Sequence, residues 1–131
     1  MATEHPATEV VAKQIRTALN SADLTELSHL LDPQVQWGAP DAKRASCQNR
    51  EQVLTWYRKG RANGVRARVT EMVVRNDKIL VGLKMAGDAT AAEAGDEANR
   101  WQILTLAAGR IVDIRGFEDR AEAASRLGPP C

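Results

Sequence analysis

Residues that build metal centres and covalent frameworks are scarce here. Of 131 residues only two are cysteine and two histidine, at Cys47, Cys131, His5 and His29. One cysteine lies in a polar stretch and the other at the extreme end, a distribution that suits a reducing compartment better than a disulfide framework. A zinc site would have to gather its ligands from segments remote from one another, so neither a metal nor another cofactor is expected. Long apolar runs are lacking too. Nothing approaches the ~18 residues of a membrane span, and the opening MATEHPATEV has no basic region followed by an apolar one. The reading is a cytoplasmic chain with no membrane partner. An excess of one charge is also missing: the net charge is +1 with 27% charged residues, so the overall field favours neither nucleic acid nor an anionic surface. The one basic concentration, Arg58 to Arg61 with Arg66 and Arg68, has no aromatic platform of its own. It reads as a solvated helix end and a polar strand face, and no nucleic-acid partner is expected.

What is present is helical patterning followed by alternation. A length of 131 residues fits one domain with one core, with residues 1–7 and 128–131 as expected tails. From Thr8, the residues Val10, Val11, Ile15, Ala18, Leu19 and Ala22 recur at helical spacing. Asp23 and Glu26 have the spacing of a capping box at the head of a second helix, with Leu24, Leu27, Leu30 and Leu31 as its buried stripe and Asp32-Pro33 as its stop. A short extended piece from Gln34 to Trp37 leads into a turn-rich loop containing Gly38, Pro40, Lys43, Arg44 and Cys47. Asn49 and Gln52 cap a third helix that carries Val53, Leu54, Trp56 and Tyr57 and ends around Gly60 and Gly64. Four strands follow, over 65–75, 78–86, 99–107 and 110–117, in the order of an antiparallel meander. Asn76-Asp77 and Ala108-Gly109 mark tight turns, and the acidic segment 87–98 reads as a solvated connection. Asp119 and Glu122 cap a short closing helix.

Helices first and strands second is the order of a segregated α+β fold. The alternation puts Ile79, Val81, Leu83 and Met85 on one face with Trp101 and Ile103, and Leu80, Leu104, Leu106 and Phe117 on the other. Helices can cover only one of these faces. The apolar residues of the other predict a homodimer through the outer face of the sheet.

The segment Ala22 to Leu27, Leu30-Leu31-Asp32, Gly109 to Val112 and Gly116 to Ala123 resembles SnoaL-like members of the nuclear transport factor 2-like superfamily. The middle, through Arg50 to Val53, Trp56 to Arg58 and Val65 to Ala67, is similar to bacterial ketosteroid isomerases. The resemblance implies a cystatin-like cone: three N-terminal helices packed on a curved antiparallel sheet, closed by a short C-terminal helix, around one apolar pocket. This fold hosts isomerases, dehydratases, cyclases, epoxide hydrolases and non-catalytic proteins. The ketosteroid isomerase set of a carboxylate base and two acidic donors is not reproduced. Its tyrosine corresponds to Ile15, its base to Gly38 or Trp37, and its donor aspartic acid to the neighbourhood of Trp101. The acidic residue of the SnoaL-like cyclase corresponds to Gly116. The Arg–Asp arrangement of limonene epoxide hydrolases finds no match, because Asp113 and Arg115 fall on the outer face.

The carboxylate left near the pocket mouth is Glu118, on the parity of Ile114 and Gly116, and it is the candidate general acid or base. Asp119 is explained as a cap and His29 as a helix-surface residue. The expected ligand-binding residues are Ile15, Trp37, Trp56, Tyr57, Leu83, Trp101, Ile114 and Gly116. The tryptophans would offer a flat lining and Tyr57 a hydroxyl for an oxygen of the ligand. The expected function is cofactor-free isomerisation, cyclisation, dehydration or hydrolysis of a small apolar or polycyclic oxygenated molecule. The alternative is a non-catalytic binding or interaction module of the same fold.

Overall fold

The computed structural model describes residues 6–21, 23–38, 47–62, 64, 66–86 and 97–127. Both expected tails beyond these limits, most of the 87–98 connection and the Lys43-Arg44 loop lie outside the described residues. The elements run α1 (Pro6–Ser21), α2 (Leu24–Leu30), β1 (Leu31–Gly38), α3 (Arg50–Ala62), β2 (Arg66–Arg75), β3 (Lys78–Ala86), β4 (Glu97–Ala107), β5 (Arg110–Phe117) and α4 (Arg120–Ser125).

Three of the helix starts are set by side chains read in the sequence as caps. The Asp23 carboxylate accepts the Glu26 N–H at 3.0 Å, and that of Asp119 accepts the Glu122 N–H at 2.9 Å. Asn49 Oδ1 accepts the Gln52 N–H at 2.9 Å, while Gln52 Oε1 reaches back to the Gln48 N–H at 2.7 Å, one residue earlier than a standard box would. α1 begins at Pro6, two residues before Thr8; proline suits a first turn, where its missing N–H would have had no helical partner. Gly60 does not stop α3, which continues to Ala62.

The four meander strands pair antiparallel, as the alternation predicts, but the sheet is mixed. Its order is β1-β5-β4-β3-β2, and β1 pairs parallel with β5. The expected wholly antiparallel sheet is therefore corrected: the piece read as Gln34 to Trp37 belongs to an eight-residue strand that begins at Leu31, a residue expected on the α2 stripe. Pro33 is tolerated because β1 lies at the edge, where a missing N–H need not break a ladder.

A second correction concerns the faces. Ile79 pairs with Leu104, Leu80 with Ile103 and Gly82 with Trp101, so Leu104 and Leu106 share the inner face with Ile79, while Trp101 and Ile103 lie outside with Leu80. A slip of one residue exchanges the two faces of a strand, and nothing in the sequence of the β3–β4 connection fixes that register. The inner face packs on α1, α2 and α3 through Val11, Ile15, Ala18, Leu27, Leu30, Val53 and Leu54. On the outer face Leu80, Ile103 and Phe117 form a second cluster with Ala123 and Leu127, so α4 and the turn after it cover part of the surface that the sequence left bare. Arg120 secures α4 with two hydrogen bonds to the Glu71 carboxylate, at 2.9 and 2.6 Å, and its guanidinium lies 5.9 Å from the Trp101 ring centre. Among the described residues no helix is long and apolar enough to cross a membrane.

Candidate binding hollow

The helical period of α3 sends Val53 and Leu54 into the core, which turns Trp56 and Tyr57 toward the space between α3 and the sheet. β1 brings Trp37 to the same place. Its backbone N–H and C=O exchange hydrogen bonds with Cys47 at 2.9 and 3.0 Å, fixing the strand end that carries the indole. The three rings form one aromatic corner: Trp37 and Trp56 have centres 4.7 Å apart, Trp37 and Tyr57 5.3 Å, and Trp56 and Tyr57 5.8 Å. Trp56 remains 50% exposed, so it acts as a wall and not as core.

Two lobes of a hollow meet at this corner, sharing Leu19, Trp56, Tyr57, Ala67 and Met85. The first, of about 470 Å³, lies among the ends of α1 and α3, the start of α2 and the start of β2. The second, of about 410 Å³, is bordered by Trp37, Leu83, Arg100, Trp101, Gln102, Gly116, Phe117 and Glu118. Both are of the size that small-molecule sites take.

Seven of the nine residues expected at the site therefore border the second lobe: Trp37, Trp56, Tyr57, Leu83, Trp101, Gly116 and Glu118. Trp101 does so from an outward-facing position, with its indole laid over Gly82. Ile15 and Ile114 are instead buried in the packed core and border neither lobe. Glu118 stands exposed just beyond β5. Asp119 caps α4 and His29 is exposed on α2, in line with their sequence reading. At Gly116 an added Cβ would be 3.9 Å from Trp37 Nε1, an ordinary contact, so the glycine leaves room without being required by the backbone.

The polar centre of the hollow includes a residue that the sequence reading passed over. Gln102 is a buried polar residue on the inner face of β4, opposite Val81 and Gly116, and it is hydrogen-bonded to the Tyr57 side chain. With the β4 faces assigned the other way round, Gln102 reads as an ordinary outward polar residue; the corrected register turns it inward. Burial of the hydroxyl pushes the Tyr57 pKa well above its usual range, and the Gln102 hydrogen bond and the nearby Cys47 are lesser influences. Tyr57 is consequently a neutral hydroxyl, able to donate, at any physiological pH. Burial also pushes the Cys47 thiol up, which keeps it from being a ready nucleophile. Among the described residues no group of three or more His, Cys, Asp or Glu side chains is placed to hold a metal ion.

Solved structures with this architecture include a protein from Kribbella flavida provisionally assigned as a ketosteroid isomerase, 16% identical over 87% of this chain and 78% of that one, with a TM-score of 0.70. An epoxide hydrolase from M. tuberculosis is 13% identical over 93% of this chain and 90% of its own, with a TM-score of 0.65. A protein of cystatin-like fold from Xanthomonas campestris is 20% identical over 93% and 98%, with a TM-score of 0.69. At these identities the likeness is one of fold. No curated protein matches the sequence. The SnoaL-like domain model matches residues 11–114, and the chain belongs to that family.

Proposed function

We propose that this chain binds a small apolar, ring-bearing molecule that carries an oxygen acceptor, with the ring against the aromatic corner and the oxygen at the Tyr57–Gln102 pair. The observation that carries this reading is a polar pair, the Tyr57 hydroxyl and the Gln102 amide joined by a side-chain hydrogen bond, placed in an otherwise largely apolar hollow. A buried hydroxyl and amide of this kind give orientation, since an oxygenated ligand satisfies them and a hydrocarbon does not. Titration of intrinsic tryptophan fluorescence with a matched pair, such as a bicyclic ketone and its parent hydrocarbon, tests it. The ketone should bind more tightly, and Tyr57→Phe should weaken the ketone by about fivefold while leaving the hydrocarbon alone. A fluorescence signal insensitive to both compounds would refute the reading.

A second reading, cofactor-free acid–base turnover, is favoured by the place of Glu118 on the border of the same lobe and by the isomerase and hydrolase descriptions attached to proteins of like fold. There Glu118 would move a proton while Tyr57 holds the oxygen on which charge develops. Loss of turnover in Glu118→Gln with ligand affinity retained would support it. Unchanged turnover in that variant would remove Glu118 from the chemistry.

A further inference from the structure

Gly116 is the cross-strand partner of Gln102 in the β4–β5 ladder, on the inner face of the sheet, and both residues border the second lobe. A side chain on Gly116 would therefore point into that lobe. Among the described residues, and leaving aside its chain neighbours, one heavy atom lies within 4 Å of a Cβ added there: Trp37 Nε1, at 3.9 Å. Trp37 borders the same lobe. The nitrogen edge of its indole thus stands over the glycine and opens on the space that Tyr57 and Gln102 also border.

The backbone N–H and C=O of Trp37 are taken by Cys47, and its ring packs against Trp56 and Tyr57. Its Nε1–H has no hydrogen-bond partner among the described residues. An indole N–H can only donate. Sealed in a dry core such a group is costly, whereas at the edge of a hollow it is met by water or by an acceptor atom of a ligand. Neither of the other tryptophans is placed in this way: the Trp101 indole lies over Gly82 on the outer face, and Trp56 is half exposed. Trp37 comes from β1 and Tyr57 from α3, so two donors reach the lobe from different elements.

We infer that the Trp37 indole N–H is a second ligand-contacting donor, which gives a hydrogen bond to an acceptor oxygen of the ligand in the space left open by the absent side chain of Gly116. The inference rests on the binding role proposed above and names a further specificity-determining residue for it. Trp37 then acts through its nitrogen as well as through its flat apolar ring. A hydrocarbon uses only the ring, and an oxygenated ligand uses both.

The test is a proton–nitrogen correlation NMR titration of the labelled full chain with 1-tetralone and with tetralin, its parent hydrocarbon. The chain has three tryptophans and so three indole N–H signals. That of Trp37 is identified by its loss in Trp37→Phe, or by elimination with Trp56→Phe and Trp101→Phe should the first variant not fold. In the wild type, 1-tetralone should move the Trp37 indole proton downfield, as formation of a hydrogen bond does, and tetralin should not. Trp37→Phe keeps a ring but has no N–H, and in it the affinity advantage of the ketone over the hydrocarbon should fall about fivefold. A Trp37 signal that responds alike to the two compounds would overturn the inference and leave the Tyr57–Gln102 reading standing, as would an advantage that survives Trp37→Phe unchanged. Binding of neither probe would overturn the inference and the proposed role together.

Discussion

At the scale of single residues, Gly82 shows how a missing side chain directs a large one. A Cβ on Gly82 would overlap the six-membered part of the Trp101 indole and come within 3.1 Å of the Thr70 hydroxyl. The indole therefore lies flat against the β3 backbone on the outer face, with Arg120 above it. Gly82→Ala should force the ring away and destabilise the fold by about 1–3 kcal/mol, measured by urea unfolding. Combining it with Trp101→Leu should recover part of that loss, because the two changes act on one contact. Gly116 has the opposite character. Its position is open, so Gly116→Leu should leave the melting temperature close to that of the wild type and occupy the second lobe, weakening ligand binding.

Among the elements, α4 has the clearest pH signature. Its Arg120 is hydrogen-bonded to Glu71 on β2, and this bond holds the Glu71 carboxyl below its ordinary value, with burial opposing weakly. The contribution is thus complete above the unfolded-state pKa of ~4.3 and disappears as pH falls through the lower folded-state value. The side chains are 48% and 31% exposed, so solvent screens the pair and its effect on stability is modest. The melting temperature of wild type should exceed that of Glu71→Gln by a constant amount between pH 6 and 8, with the gap narrowing below about pH 4.3; a gap that stays constant to pH 3 would contradict the assignment. Helix starts and the meander were legible because Asp23, Asn49 and Asp119 act locally, as do the turns at Asn76 and Ala108-Gly109, where φ is positive at Asn76, Ala108 and Gly109. β1 and the faces of β4 were not, because pairing partners distant in sequence decide both. The consequence reached the site: Trp37, Trp56 and Tyr57 were expected near one pocket through the resemblance to the family, whereas Gln102 could be recognised only once its strand was turned the right way.

For the molecule as a whole, a ligand that binds only the folded state raises stability in proportion to the logarithm of its concentration. A compound that fills the hollow should raise the melting temperature of the wild type progressively as it is added, and that of Gly116→Leu much less; equal rises in both proteins would place its binding elsewhere. The parallel pairing of β1 with β5 has a consequence of another kind. Leu31 lies beside Ile111, and Trp37 beside Ile114, so the first strand of this sheet in chain order has its neighbour in the last. While synthesis proceeds, residues 31–38 have no sheet to join, and their contacts rank among those of longest sequence separation in the fold, the kind that slows folding. Nascent chains stalled before residue 110 should accordingly leave this segment open to protease, with protection appearing only after the fifth strand has emerged from the exit tunnel.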